Sequence, residues 1–399
     1  MNDRLFPLTS AVLLAICFTV TLQAQDAARQ PPANTIAKEQ RITNWLRSQD
    51  KNGDGKIAHD EATGLMKSNF TRNDTNKDKV LDRDELGKLA DRLARSGYGR
   101  NRQPRNQQTM TTEQLLKRTP QGVTVIPDIA YRQGNEAWQL DLAMPETKSG
   151  EPRPALLFVH GGGWRNGDKR AQAFLGPCLE FATKGYVCVT VNYRLLGEAK
   201  GIADCIADVK CATRWLRAHA TEYNIDPARF GAYGNSAGAH LVSILGLCPN
   251  TAGMEGDGPY QEYSSRVQAV VASATPASFM IPMSDRARAA QQQQQNKQQR
   301  RSSSNMAPDV KKKISPVTYV NADAPPFLLF HEVSDGTVGV YQSDKLVEAH
   351  KAAGAKDVTY KRYEDGSGHG VFGKNIDKTG PLRESFFDRV LKNKKTSDQ

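Results

Sequence analysis

Short apolar runs alternate with amphipathic stretches along the last two thirds of this 399-residue chain. The runs have the length of buried strands, and the stretch 203–218 repeats its apolar positions at helical spacing. They predict eight strands, at residues 123–126, 138–144, 155–159, 187–192, 230–233, 267–274, 327–330 and 358–363. Alternating strands and helices form a mostly parallel sheet covered by helices on both faces. We therefore expect one α/β domain over residues 119–391, with its site at the carboxyl ends of the strands.

The N-terminus carries the one long apolar run of the sequence. A charged start at Arg4 precedes the apolar residues 11–22, and the small residues Ala24 and Ala27 follow. This order is typical of a secretory signal peptide, so we expect residues 1–24 to be cleaved and the protein to be secreted or periplasmic. An N-terminal membrane anchor is the alternative. No further membrane span is expected, because no other apolar run is long enough.

The net charge of +11 lies in two segments rather than on a folded face. Residues 286–313 carry +7 and residues 95–105 carry +4, which together equal the whole excess. Neither segment has apolar periodicity, so we expect a disordered Gln-rich insertion at 286–313 and a basic linker at 95–118. A nucleic-acid partner is not expected, since the rest of the chain is neutral. The basic segments could make a weak contact with an anionic surface.

Cysteine usage indicates neither a metal site nor a disulfide framework. If Cys17 leaves with the signal peptide, five cysteines remain, so at least one is unpaired. No C-x-x-C spacing indicates zinc or a redox dithiol. We expect the cysteines to be buried as small apolar side chains.

A twelve-residue stretch that begins at Asp50 has the oxygen-bearing residues of a calcium-binding EF-hand loop. Such a loop supplies ligands from positions 1, 3, 5, 7 and 12, and a glycine at position 6 makes the sharp turn. The ligand positions hold Asp50, Asn52, Asp54, Lys56 (through its carbonyl) and Glu61, and a glycine stands at position 6. The match at every position predicts a Ca²⁺ site.

A second loop of the same kind begins 24 residues later. Its ligand positions hold Asp74, Asn76, Asp78, Val80 (through its carbonyl) and Glu85. Lys79 stands at the turn-glycine position, where a positive φ costs a residue with a Cβ about 1 kcal/mol. We expect this loop to bind more weakly than the first, or only to fold. Residues 38–94 are thus predicted as a small all-α EF-hand pair with a structural Ca²⁺ role.

The chemistry of the larger domain is indicated first by the segment after strand 230–233. It reads Gly234-Asn235-Ser236-Ala237-Gly238 and leads into a helical run. Gly-x-Ser-x-Gly between a strand and a helix is a nucleophile elbow, in which the glycines permit a turn tight enough to expose the serine oxygen. Ser236 is therefore the candidate nucleophile.

A run of glycines follows strand 155–159, in the segment His160-Gly161-Gly162-Gly163-Trp164. Consecutive glycines let backbone N–H groups approach a substrate oxygen without hindrance from side chains. The N–H groups of Gly162 and Gly163, with that of Ala237, are predicted to form an oxyanion hole.

A general base and an acid follow the last two predicted strands. His369 lies in a loop just after strand 358–363, and Asp335 lies just after strand 327–330. Glu332, nearer the strand, is the alternative acid. Nucleophile, acid and base in this chain order are the arrangement of α/β-hydrolases.

With these motifs, residues 119–391 resemble the α/β-hydrolase esterase/lipase family that carries HGGGW and GxSAGAHL, as in carboxylesterases and acetyl esterases. The resemblance implies an α/β-hydrolase fold with an eight-stranded sheet, and ester hydrolysis through an acyl-enzyme without a catalytic cofactor. It also implies Ser236, Asp335 and His369 as the catalytic triad. Two positions depart from the family pattern, because Glu332 replaces a usual glycine and Gly339 a usual proline.

These observations predict an exported serine esterase. The expected substrates are short-chain carboxylic esters, including acyl groups on polysaccharides, because no hydrophobic lid sequence is present. A serine peptidase on the same fold is one alternative. A non-catalytic calcium-binding envelope protein is another, and it would require a defective triad.

Overall fold

The computed structural model describes residues 42–43, 45–46, 49–62, 70–95, 110–147, 149–285 and 306–392. The chain divides into two units, Met1–Arg105 and Asn106–Gln399. Three predicted features lie wholly or largely outside the described residues: the signal peptide at 1–24, residues 96–109 of the basic linker and residues 286–305 of the insertion.

The N-terminal unit joins its two predicted calcium loops through a short antiparallel sheet. Strand β1 (Ile57–Ala58) pairs with β2 (Val80–Leu81), and Ile57 stands opposite Leu81. Helix α1 (Phe70–Asn73) precedes the second loop and α2 (Arg83–Arg95) follows its strand. Ile57 and Leu81 are both fully buried in an apolar cluster with Phe70. Apolar residues at position 8 of each loop thus hold the two loops side by side.

The C-terminal unit is built on an eight-stranded sheet. Its strands are β3 (Val123–Ala130), β4 (Gln139–Pro145), β5 (Arg153–Val159), β6 (Val187–Val191), β7 (Ile225–Asn235), β8 (Ala269–Ser273), β9 (Phe327–Glu332) and β10 (Val358–Tyr363). Their spatial order is β10-β9-β8-β7-β5-β6-β4-β3. Neighbouring strands pair in parallel except around β4, which is antiparallel to both β3 and β6. All eight predicted strands are present, and the mostly parallel sheet is confirmed.

Helices precede, connect and follow these strands. They are α3 (Thr112–Arg118), α4 (Gln172–Thr183), α5 (Ile202–Ala218), α6 (Ala237–Leu247), α7 (Pro308–Lys313), α8 (Tyr341–Ala352), α9 (Val371–Lys374) and α10 (Ile376–Phe387). Within the described residues, no helix combines the length and the apolar character needed to cross a bilayer.

Both faces of the sheet carry an apolar core, because successive side chains of a strand point to opposite faces. Along β5, Leu157 packs into the core that includes apolar residues of α5, α6 and α8. Its neighbour Phe158 packs into the core that includes residues of α4, α9 and α10. Strands buried on both faces are apolar without alternation, which explains why the sequence shows them as continuous runs.

Two predicted irregular segments are shorter than expected. The predicted linker 95–118 is wrong at its C-terminal end, because Thr112–Arg118 is a helix with a Thr111–Gln114 capping box and a buried Leu115. The predicted disordered insertion 286–313 is wrong at its end, where Pro308 starts a helix that leads to the buried Ile314. A capping box and the buried Leu115 order the first segment. Pro308 at the first helical position and the buried Ile314 order the second.

Within the described residues, the five cysteines that follow the predicted signal peptide are all buried and form no disulfide bond, as expected for small apolar side chains. They lie in the C-terminal unit.

Candidate active site

Ser236 lies on a sharp turn between β7 and α6. Its φ of 55° and ψ of −122° strain a residue that has a Cβ. Both neighbouring glycines are required by close contacts. A Cβ on Gly234 would lie 2.4 Å from the carbonyl carbon of Gly238, and one on Gly238 would lie 2.1 Å from the Val159 oxygen. The strand, turn and helix expected of a nucleophile elbow are therefore present, with Ser236 at the positive N-terminus of α6.

Three residues that are far apart in sequence meet at this turn. Nε2 of His369 lies 3.0 Å from Oγ of Ser236, and Nδ1 of His369 lies 2.7 Å from Oδ2 of Asp335. Asp335 is buried, whereas 30% of the His369 side chain is exposed. One ring nitrogen can therefore accept the serine proton while the other donates to the carboxylate.

Four nitrogen atoms surround the Asp335 carboxylate. Besides His369, the backbone N–H groups of Thr337 and Val338 donate to Oδ1 at 2.8 and 3.0 Å, and Nε2 of His331 lies 3.3 Å from Oδ2. Burial raises the pKa of Asp335, but the hydrogen bonds from His331 and His369 outweigh it, so the pKa lies well below its usual value. No sequence motif singles out His331, although it lies at the end of a strand, four residues before Asp335.

The other candidate acid is placed differently. Glu332 is buried and makes no hydrogen bond to the His369 ring. Its carboxylate instead accepts the backbone N–H groups of Gly366, at 3.3 Å, and Gly368, at 2.9 Å. The structure thus brings Asp335, rather than Glu332, to the imidazole.

The glycine run after β5 lies beside the nucleophile. A Cβ on Gly161 would lie 2.7 Å from the Asn235 oxygen, whereas the same direction at Gly163 is open. In the described part of the chain, the N–H groups of Gly162 and Gly163 donate to no other group. The N–H of Ala237 is the first of α6 and has no partner within that helix. These donors are free to bind a substrate oxygen.

Buried ion pairs hold the far end of this glycine loop. Nζ of Lys169 lies 2.7 Å from both Asp128 and Asp141, and Nε of Arg170 lies 2.7 Å from Asp141. Burial raises the pKa of Asp128, but bonds from Lys169, Thr112 and Arg170 lower it to about 2. Removing one member would leave a buried charge uncompensated, which typically costs about 3–5 kcal/mol. The loop is therefore firmly anchored.

An aromatic cluster stands next to the glycines. Trp164 lies 5.4 Å from the ring of His240 and 5.6 Å from that of Phe279. Nε2 of His240 is 2.7 Å from the Ile314 oxygen, and burial lowers the pKa of His240 to about 4. His240 is therefore neutral near pH 7 and anchors the segment after α7, despite its closeness in sequence to Ser236.

The first predicted calcium loop is closed by its own carboxylates. Asp50 accepts the N–H groups of Gly53 and Gly55 at 2.7 and 2.9 Å. Glu61 accepts the N–H groups of Lys51 and Asn52 at 3.0 and 3.2 Å. Acidic side chains therefore point into the loop from both of its ends, as the ligand pattern requires.

The second loop gathers its carboxylates more tightly. One oxygen from each of Asp74, Asp78 and Glu85 lies within 4.8 Å of the others. Among the described residues, no group donates a hydrogen bond to the buried Oδ1 of Asp74, which is costly unless a cation or donor compensates it. Lys79 has the expected positive φ, of 68°. The residues of this loop fit a hard cation such as Ca²⁺.

The sequence and the fold are similar to those of known esterases. Residues 140–350 match the BD-FAE family. The chain is 32% identical over 245 residues to LipM of Mycobacterium tuberculosis, described as a "probable carboxylic ester hydrolase". It is 30% identical over 234 residues to Esterase LipC of the same species. The alignments cover 58% of this chain in both cases, and 53% and 56% of the relatives, so the chain spans about half the length of these curated relatives.

Two solved structures extend the similarity to the fold. The truncated form of a carbohydrate esterase from gut microbiota superposes with a TM-score of 0.56 at 26% identity, over 67% of this chain and 96% of that one. Esterase 2 of Thermogutta terrifontis, phosphorylated by paraoxon, superposes with a TM-score of 0.54 at 26% identity, over 68% and 95%. Together with the eight-stranded sheet, these similarities show an α/β-hydrolase fold.

Proposed function

Since the chain belongs to the BD-FAE family of α/β-hydrolase esterases, we propose that it is a serine esterase that hydrolyses short-chain carboxylic esters through an acyl-enzyme. The observation that carries this proposal is the unbroken line of hydrogen bonds from Oγ of Ser236 through His369 to Asp335. The named relatives, which are carboxylic ester hydrolases and esterases, support it.

In the first step, Nε2 of His369 takes the proton of Ser236 as its oxygen attacks the ester carbonyl carbon. Asp335 accepts the Nδ1–H, so it holds the productive tautomer and stabilises the imidazolium ion. The imidazolium then gives its proton to the departing alcohol oxygen, which leaves an acyl group on Ser236. Because the low pKa of Asp335 keeps this carboxylate ionised at neutral pH, it can fulfil this role throughout the working range of an esterase.

The tetrahedral intermediate needs donors where its negative oxygen forms. The N–H groups of Gly162, Gly163 and Ala237 are the proposed donors, and the start of α6 adds its positive potential. Losing one such donor typically slows turnover by about 10²–10³-fold. In the second step, His369 activates a water molecule that releases the acyl group through a second tetrahedral intermediate.

We extend the proposal to acyl groups on polysaccharides, such as acetyl or feruloyl esters. The fold similarity to a protein described as a carbohydrate esterase supports this extension. So does the exposure of His369, because a base that remains partly open to solvent is compatible with a bulky alcohol side of the substrate.

Calcium is proposed to have a structural role in the N-terminal unit. Asp50, Asn52, Asp54, Lys56 and Glu61 would hold one ion, and the second loop would hold another through Asp74, Asn76, Asp78, Val80 and Glu85. A bound ion would neutralise the converging carboxylates and link each loop into one unit. No step of ester hydrolysis uses it.

Export through residues 1–24 completes the proposal, with a secreted or periplasmic protein as its product. Expression of the full chain, followed by fractionation and determination of the mature N-terminus, tests this part. Recovery of the uncleaved chain in the membrane fraction would instead support an anchor.

The esterase proposal is tested with Ser236→Ala, assayed on p-nitrophenyl acetate and on acetylated xylo-oligosaccharides. We expect its turnover to fall by about 10⁴-fold or more, as when a triad member is removed. Ser243→Ala is the matched control, because Ser243 lies on the same helix and its buried hydroxyl donates to the Ala239 oxygen of that helix. The control should retain ester turnover.

Covalent labelling identifies the nucleophile independently of the substrate. A fluorophosphonate should modify Ser236 in the wild-type protein, by analogy with the related esterase that paraoxon phosphorylates. Undiminished ester turnover by Ser236→Ala would contradict the proposal. Faster cleavage of dipeptides than of esters would favour the peptidase alternative, and unlabelled, inactive wild-type protein would favour a binding role.

A further inference from the structure

Glu332, the last residue of β9, is a buried carboxylate that bonds to two loops of the site. Its Oε2 accepts the backbone N–H and the hydroxyl of Ser334, at 2.9 and 2.5 Å. The same oxygen accepts the N–H of Gly368 at 2.9 Å, and Oε1 accepts the N–H of Gly366 at 3.3 Å. One carboxylate thus binds the residue before Asp335 and the residue before the base.

These hydrogen bonds compensate the negative charge of the buried Glu332 carboxylate. Within the described part of the chain, no Lys, Arg or His lies within ion-pair distance of it. Burial raises the pKa of Glu332, but the bonds from Ser334, Gly368 and Gly366 outweigh burial and lower it. The carboxylate is therefore ionised at neutral pH, and bonds to an ionised acceptor are stronger than neutral ones.

The segment before His369 needs such a constraint. Gly366 and Gly368 both have positive φ, of 72° and 59°, and a Cβ at either position would meet no atom within 4 Å. Glycines in open surroundings lose much conformational freedom when they are fixed. Neither residue has a side chain that could anchor it, whereas the Glu332 carboxylate binds the backbone N–H group of each.

We propose that Glu332 is a positioning residue, which fixes the loops of Asp335 and His369 relative to each other so that the ring nitrogen meets Ser236. This rests on the proposed esterase function. Glu332 does not bond to the imidazole, because the two ring nitrogens of His369 bond to Asp335 and Ser236. Its side chain is fully buried, so it is not open to a substrate. It acts only through the backbone of the two loops.

The expected effects follow from which bonds each variant keeps. In Glu332→Gln the amide oxygen can replace Oε2 and keep the bonds from Ser334 and Gly368, so kcat should stay within about 5-fold of wild type. Glu332→Ala loses all four bonds, and a base displaced by about 1 Å lowers kcat by about 10²-fold. KM should change little in both variants, because the substrate does not contact Glu332.

Two further variants make the test specific. Asp335→Asn should lose about 10⁴-fold in kcat, as expected of the acid that contacts the base. Glu255→Gln is the control for a buried carboxylate, because Glu255 binds Lys210 and Ser265 near the opposite end of α6. It should lower the thermal midpoint without changing kcat at a temperature where the variant is folded.

A readout that does not depend on turnover separates this proposal from the esterase function. The Nδ1 proton of His369 in its 2.7 Å bond to Asp335 should give a low-field proton NMR signal. The signal should persist in Glu332→Gln and be lost or broadened in folded Glu332→Ala. If the wild-type protein hydrolyses no ester, the function fails and this comparison alone decides the positioning role.

Three results would overturn the proposal. The first is a Glu332→Ala variant with wild-type kcat, and the second is one that retains the low-field signal unchanged. The third is a loss of about 10⁴-fold in Glu332→Gln together with a mild effect of Asp335→Asn, since that pair would make Glu332 the triad acid.

Discussion

Replacing Ser236 by glycine separates the backbone strain of the nucleophile turn from its chemistry. At φ 55° and ψ −122°, a residue with a Cβ carries about 1–3 kcal/mol of strain. Glycine removes that strain, but it loses about 0.5–1 kcal/mol more conformational entropy on folding than alanine does. Compared with Ser236→Ala, which keeps the Cβ, Ser236→Gly should therefore be more stable by about 1 kcal/mol.

The assay is thermal and urea unfolding of both variants under identical conditions. Both lack the hydroxyl and should be inactive, so any difference between them reports on the backbone. For a unit as large as Asn106–Gln399, a difference of about 1 kcal/mol corresponds to about 2 °C in the unfolding midpoint. A Ser236→Gly variant that unfolds at or below the midpoint of Ser236→Ala would refute the idea that the turn stores strain at this residue.

Further predictions concern acid stability, calcium and close packing. The folded-state pKa of Asp335 lies below the unfolded value of about 3.9, so its stabilisation is complete above that pH and is lost as the pH falls below it. Urea unfolding between about pH 6 and about pH 2 should therefore show a steeper loss of stability for wild type than for Asp335→Asn; equal slopes would contradict this. EDTA should lower the unfolding temperature of the N-terminal unit, and an EDTA-insensitive midpoint would refute the structural role. Glu85→Gln should reduce the stabilisation by calcium more than Glu61→Gln does, because the second loop gathers three carboxylates. Gly238→Ala should destabilise by about 1–3 kcal/mol, since its Cβ would lie 2.1 Å from a backbone oxygen. Gly373→Ala, on helix α9 with no atom within 4 Å of the added Cβ, should be neutral or stabilising in the same unfolding assay.

Much of the fold could be predicted from local patterns. Continuous apolar runs predict the strands, because a strand buried on both faces needs apolar residues on both. The elbow around Ser236 could also be predicted, because a turn this tight requires Gly234 and Gly238 for steric reasons. Strand boundaries were harder to predict. Strand β7 begins at Ile225, five residues before its apolar run, because Ile225 already pairs with Arg153 of β5 through backbone hydrogen bonds that leave no apolar pattern in the sequence.

The positions of the candidate calcium ligands could be predicted from the sequence for the same local reason. A twelve-residue loop supplies its own oxygens, so Asp50 and Asp74 identify their loops without reference to the rest of the molecule. How closely each loop gathers its carboxylates could not be predicted from the sequence. A lysine at the turn-glycine position suggests a weaker site, yet the folded chain brings Asp74, Asp78 and Glu85 within 4.8 Å of one another.

The sequence by itself determined the strands of the sheet and the elbow that carries Ser236, because each depends on a pattern within one segment. Only the tertiary structure decided which of the two acids at the end of β9 meets the histidine. Asp335 and Glu332 are three residues apart, and either could have reached a histidine that follows β10. Which one meets the His369 ring depends on the direction in which each side chain leaves the turn, and that direction is set by contacts with residues distant in sequence. The folded chain directs Asp335 to the imidazole and Glu332 to the backbone that carries it.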